Sequence, residues 1–195
     1  IFTPSSDGQM VIRVVAGVFS DAAGNSSQSI AKFSWFYDAT KPNMEITASN
    51  GTDEIADVSS TNDSTLILTF TSSESVADFT VTDIIMGGAG GSISDFSSTN
   101  DSVYTATFTP SADGATTIDV DENSFTDASG NDNMQAPQFH WTYDATSPDV
   151  VITASDGEYA ISDGSISNDA SLTLEITTSE STSNFSVDDI VVTGG

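Results

Sequence analysis

The chain has 195 residues, 37% of them hydrophobic, and sets 29 acidic side chains against 3 basic ones for a formal net charge of −26. Nucleic acid and anionic lipid are excluded as partners, since both require cations that displace counterions. The acidity suits a self-repelling surface or one that collects divalent cations.

Taken in chain order, residues 1–42 carry FTPSSDG from Phe2, FSDAAGN from Phe19 and FSWFYDATKP from Phe33, together with all three bases, Arg13, Lys32 and Lys41. A strand is expected near Met44 to Ala48, spanning the ITAS that begins at Ile46. Another is expected over Thr65 to Thr71, where Leu66, Leu68 and Phe70 alternate with Ile67 and Thr69 as one face of a strand requires. SSES follows at Ser72. Phe79 and Val81 predict a further strand, and the slip in alternation before Ile84 predicts a bulge or a break. GGAGGSISD, Gly87 to Asp95, reads as a flexible loop between strands. Tyr104 with Ala106 and Phe108, Ile118 with Val120, and Phe139 with Trp141 and Tyr143 mark three more strands. FTDASGN, Phe125 to Asn131, lies before the last of them.

The motifs then start again. ITAS recurs at Ile152, TSES stands at Thr178 and NFSVDDI at Asn184, while FTPSADG at Phe108 and FHWTYDATSP at Phe139 repeat the earliest motifs. Every second copy lies 106 residues after the first, with no insertion. Such a period exceeds that of solenoids and fits independent domains in a row. The chain therefore divides into the C-terminal part of one repeat (1–42), a complete repeat (43–148) and the N-terminal part of the next (149–195). YDATKP and YDATSP mark the joints, each stiffened by its proline. Beginning at Ile1 and stopping after Gly-Gly, the sequence reads as a segment of something longer, with any targeting signal outside it.

About seven short strands per repeat, with turns every 8–12 residues, predict an all-β fold of tandem immunoglobulin-like sandwiches. The ordered series FxDAxGN, FxWxYDATxP, ITAS, SSES, DFTVTDI, YTATFTP and SADG resembles the bacterial Ig-like repeats of very large surface adhesins. That resemblance covers the whole chain. It implies an extracellular, cell-surface array of domains whose partners are the neighbouring repeats, with joints often stiffened by calcium.

Counting antiparallel strands places three stretches at one pole of the complete repeat: the incoming joint, the loop after the second strand, and FTDASGN. They bring Asp38, Glu74, Asp127 and Asn131 together. Three carboxylates and an amide without a nearby cation could fill about half of a calcium shell of six to eight oxygens. The corresponding residues are Asp144 and Glu180 for the next repeat, and Asp21 and Asn25 for the preceding one. The alternative for the turn is local, with Asp and Asn capping their own backbone.

Other signals point away from chemistry. GGAGGSISD has Ser92 where a calcium β-roll needs Asp, and DVDENSFTD at Asp119 departs from an EF-hand at Ser124 and Gly130. With no cysteine and a single histidine, His140, zinc sites, thiol nucleophiles and Ser-His-Asp triads are ruled out. Trp35 and Trp141 alternate with Phe and Tyr as core residues do. Five Asn-x-Ser/Thr sequons, at Asn25, Asn50, Asn62, Asn100 and Asn184, carry weight only in a source that glycosylates exported proteins. The expected function is a non-catalytic spacer. The alternatives are a subunit of an extracellular filament, associating laterally through outward residues such as Ile67, Ile85 and Phe36, and a glycan- or protein-binding module.

Overall fold

The computed structural model describes residues 1–194, all-β apart from two short 3-10 turns. Contacts divide the chain into two compact units, Ile1–Ala145 and Thr146–Gly195.

The first unit opens with a hairpin, β1 (Gly8–Val14) and β2 (Ala31–Tyr37). Nine strands follow: β3 (Met44–Ser49), β4 (Glu54–Ile55), β5 (Ser60–Thr61), β6 (Leu66–Ser72), β7 (Ile85–Gly88), β8 (Gly91–Asn100), β9 (Val103–Pro110), β10 (Gly114–Asp119) and β11 (Phe139–Tyr143). Seven of them run four residues or more, and β4 and β5 are two-residue pieces. They form two sheets, β4-β3-β6-β9-β8 and β5-β11-β10-β7, antiparallel except for the β11–β5 pair.

Alternation along each strand explains the layering. Met44, Ile46 and Ala48 on β3, and Leu66, Leu68 and Phe70 on β6, turn the same way and are buried, as are Phe139 and Trp141 from the opposite sheet. Phe79 sits among four rings, 5.5 Å from Phe70, 5.7 Å from Phe96, 5.1 Å from Tyr104 and 5.3 Å from Phe125. Trp141, only 1% exposed, meets Phe108 edge-on at 5.0 Å. The sequence expectation of an all-β, Ig-like sandwich holds.

Two local expectations change. Phe79 and Val81 belong to no strand: Val81–Asp83 is a 3-10 turn, held because the Asp83 carboxylate accepts the Thr80 backbone N–H at 2.7 Å. Phe79 is buried while Val81 is exposed, so the apparent alternation arose from a buried anchor next to a turn. The glycine-rich GGAGGSISD is mostly strand, the end of β7 and the start of β8, crossing from one sheet to the other. Its glycines answer to close packing. A Cβ on Gly88 would stand 2.0 Å from the Ala115 carbonyl oxygen, and one on Gly91 would stand 2.4 Å from the Phe108 ring.

The hairpin β1–β2 repeats the pairing of β10–β11. Gly8 lies opposite Tyr37 as Gly114 lies opposite Tyr143, and Met10 opposite Trp35 as Thr116 opposite Trp141. The second unit holds β12 (Val150–Ser155), β13 (Ala160–Ile161) and β14 (Thr173–Thr178), in the order β13-β12-β14. Val150 pairs with Thr178 as Met44 does with Ser72, and a 3-10 turn recurs at Val187–Asp189.

Candidate metal centre

The pole of the sandwich is built from its loops upward. FTDASGN closes on itself: Asp127 N–H donates to the Asn131 carbonyl at 3.1 Å and Gly130 N–H to the Asp127 carbonyl at 3.2 Å. Gly130 has φ 88, a conformation that costs a residue with a Cβ. The Asp127 side chain caps the turn, Oδ1 accepting Ser129 and Asn131 backbone N–H groups at 2.8 Å each and Oδ2 accepting the Asn131 amide at 2.8 Å.

The loop after β6 is pinned against this turn. Val76 bridges to Asp127, Ala77 N–H donates to the Thr126 carbonyl at 3.0 Å, and Thr126 N–H donates to the Asp78 carboxylate at 2.7 Å. The incoming joint is tied to the turn and the residues that follow it. Ser129 Oγ donates to Asp38 Oδ2 at 3.0 Å, the Asn131 amide donates to the Asp38 carbonyl at 3.3 Å, and Met134 N–H donates to the Pro42 carbonyl at 2.9 Å.

The result is three carboxylates, Asp38, Glu74 and Asp127, whose facing oxygens lie within 4.8 Å of one another. Asp127 is buried and the other two half-buried. The contact of His140 Nδ1 with Asp57 at 3.1 Å, an ion pair only when the histidine is protonated, does not involve them. Burial, then the charges of Asp127, Asp38 and Asp7, pushes the Glu74 carboxyl above its ordinary value. Burial also pushes on Asp127, but hydrogen bonds from Asn131, Ser129 and Gly130 outweigh it and hold that group below the usual range. Of about four lone-pair positions on Asp127, three face protein donors, so roughly one is left on Oδ2. Asp38 keeps more, and Glu74 Oε atoms accept no protein hydrogen bond among the described residues.

The donor chemistry fits a hard divalent cation that takes oxygens only. Asp38, Glu74 and Asp127 would hold it, and it would supply the countercharge their approach lacks. The Asn131 amide NH2 links Asp127 to the joint.

The remaining expected residues are placed separately. Asp21 and Asn25 form the same capped turn, with Asp21 Oδ1 accepting Ala23 and Asn25 N–H groups at 2.9 Å, and Asp21 belongs to no group of three carboxylates among the described residues. Asp144, in the first unit, donates its N–H to the Thr61 carbonyl at 3.0 Å. Glu180, in the second, is half-buried and accepts the Thr178 hydroxyl at its carbonyl, 2.7 Å. A joint residue that the sequence reading passed over is Asp7, which accepts Ala39 N–H at 2.9 Å and the Thr40 hydroxyl. Asp113 accepts Ala145 N–H in the same way at 3.0 Å. Its signal was present in the paired SSDG and SADG motifs at a constant distance from YDAT.

The two sheets, their order and the joint that enters at one pole define an immunoglobulin-like sandwich. The family model for a bacterial Ig-like domain matches residues 38–142, more than half of the chain, and the chain belongs to that family. No curated protein and no solved structure matches it. Domains of this family are typically non-catalytic, often stand on surface proteins and serve as structural modules. No helix among the described residues is long and apolar enough to cross a membrane.

Proposed function

We propose that this chain is a spacer of a large extracellular adhesin, in which tandem Ig-like domains hold a binding tip away from a cell surface and calcium fixes the joints. The observation that carries the reading is the meeting of Asp38, from the joint, with Glu74 and Asp127, from two loops of the domain that follows. A cation bound there would tie the connecting segment to the next domain, and its removal would leave three like charges pushing the joint away. The joint backbone is already held by Asn131 and Asp7, so the metal would act on a pre-ordered segment. The balance of 29 acids to 3 bases keeps such an array soluble and self-avoiding. Function in this reading is extension and stiffness, without turnover.

Small-angle scattering of the chain in millimolar calcium and then in chelator tests it. A long, fixed maximum dimension in calcium that becomes a flexible profile in chelator supports a metal-locked joint. Identical profiles, together with no heat of calcium binding by titration calorimetry, overturn the role of the metal and leave Asp38, Glu74 and Asp127 as surface acids.

A further inference from the structure

The turn after β3 carries the chain's single Asn-Gly pair, Asn50-Gly51, and lies inside the complete repeat with its own domain around it. It leads from β3 into β4, setting Ser49 opposite Glu54 and Ala48 opposite Ile55. Asn50 closes the turn. Its N–H donates to the Asp53 carbonyl at 3.1 Å, and its Oδ1 accepts the Thr52 and Asp53 N–H groups at 3.0 and 2.8 Å. The amide nitrogen is held by the Asp63 carboxylate, at 3.3 and 3.4 Å from its two oxygens. Gly51 is exposed with φ 95, and beyond its chain neighbours a Cβ there would meet only an Ile67 methyl, at 3.9 Å. The Gly51 N–H has no hydrogen-bond partner among the described residues.

The chain builds the same turn a second time around an aspartate. Asp156-Gly157 follows Asn50-Gly51 by 106 residues, and β12 and β13 pair across it as β3 and β4 do. Asp156 Oδ1 accepts the Glu158 and Tyr159 N–H groups at 2.8 and 2.7 Å, the Asp156 N–H donates to the Tyr159 carbonyl at 3.2 Å, and Gly157 has φ 100. The Tyr159 and Glu158 N–H groups hold the Asp156 carboxyl below its ordinary value. Paired backbone donors that favour a carboxylate at this oxygen also favour the negative charge that develops there when an amide carbon is attacked.

We propose that Asn50 is a site of spontaneous deamidation in the folded chain, where its turn converts ITASNG into the ITASDG that stands at Ile152. Hydroxide takes the Gly51 N–H proton, the nitrogen bonds to Asn50 Cγ, and Oδ1 carries the resulting negative charge between the Thr52 and Asp53 donors. The Cγ–Nδ2 bond then breaks, and the amide nitrogen takes a proton from water and leaves as ammonia. Water opens the cyclic imide that remains. Attack at Cγ releases the Gly51 nitrogen from the side chain and gives aspartate, while attack at the backbone carbonyl breaks the other C–N bond and gives isoaspartate. Glycine suits the attacking position because no side chain crowds its nitrogen. Asp63 is a positioning residue, holding the amide with its oxygen toward the two donors. The product adds a negative charge beside Asp63, so copies of the chain become more acidic with age.

The test is peptide mapping by mass spectrometry of the 195-residue chain held at mildly alkaline pH for weeks, folded in buffer and unfolded in urea. The mass gain of amide-to-acid conversion is expected at Asn50 ahead of every other asparagine, and at least as fast in the folded chain as in urea. Gly51→Ala is expected to slow the conversion at least about tenfold, because a methyl group displaces the attacking nitrogen. Near-ultraviolet circular dichroism from Trp141 verifies that this variant keeps its fold. Asn50→Asp, standing for the aspartate product, is expected to keep that signal too. An Asn50 that retains its amide in the folded chain overturns the proposal, whether or not it converts in urea. So does a folded Gly51→Ala that converts as fast as wild type, or another asparagine, such as Asn131, that converts first.

Discussion

The complete repeat and the half-repeats beside it use the same motifs in the same strand register, yet one buries its inner face and the others show theirs. ITAS makes the point within four letters. Ile46 is covered by the facing sheet and 7% exposed, whereas Ile152, with no facing sheet among the described residues, is 61% exposed, although both strands pair with their neighbours residue for residue alike. Register and turn chemistry are thus local properties of the hairpin, whereas burial is a property of the partner sheet. Stability contributed by identical residues should differ accordingly.

The largest test of that difference is a matched pair of truncations. Ile46→Ala is expected to cost about 2–5 kcal/mol in urea unfolding, the range for deleting a buried aliphatic side chain. Ile152→Ala in the 195-residue chain is expected to change stability by less than about 0.5 kcal/mol. Equal effects would show that the second unit has a buried core of its own.

Calcium sharpens the comparison at the pole. Saturation at a hundred times its Kd should stabilise the complete repeat by about 2.7 kcal/mol, read as a rise in its thermal midpoint. Glu74→Gln should abolish most of that gain. Asp21→Asn should leave it untouched, because the Asp21 turn has the cap without the second and third carboxylates.

A smaller effect is expected at Val58, an exposed residue with φ 67, whose counterpart in the second unit is Gly164 with φ 76. Val58→Gly removes left-handed strain without removing packing and is expected to stabilise by about 1 kcal/mol in chemical unfolding. Destabilisation would mean that the side chain has a contact in solution.

The smallest and most specific effect is on pH dependence in chelator. Glu74 has a raised value in the folded chain, so between its ordinary value and the raised one the folded state binds the extra proton, and stability rises as pH falls through that window. Asp127 has a lowered value, so its contribution is present above the ordinary aspartate range and is lost as pH falls through the lowered one. Glu74→Gln should flatten the upper window and leave the lower one, as followed by urea midpoints across acid pH.

The sandwich was legible in the sequence because period-two runs such as Leu66, Leu68 and Phe70 have few other ways to bury one face. The polar convergence was legible too, since antiparallel counting brings the joint, the loop of Glu74 and FTDASGN to the same end. What escaped depended on contacts distant in the chain. Phe79 looked like a strand residue because its burial comes from rings on β6, β8, β9 and the FTDASGN segment, which no local window contains. Gly88 and Gly91 looked like a loop because the obstacles that require them, Ala115 and Phe108, lie on other strands. The link from the Asn131 amide to the joint shows only once Asp38 is placed beside it.

The short parallel pairing of β5 with β11 has a mechanical consequence. Thr142 and Tyr143 lie beside Ser60 and Thr61, and around them Val58 N–H donates to the His140 carbonyl, Thr142 N–H to the Ser59 carbonyl and Asp144 N–H to the Thr61 carbonyl, at 2.8 to 3.0 Å. In the proposed spacer, tension entering through Asp144 would reach β11 first. These bonds then carry the load side by side in shear, and must fail together instead of opening one after another. Resistance to such a pull is set by the barrier to unfolding and not by the equilibrium free energy. A domain of ordinary thermal stability can therefore be a strong link under tension.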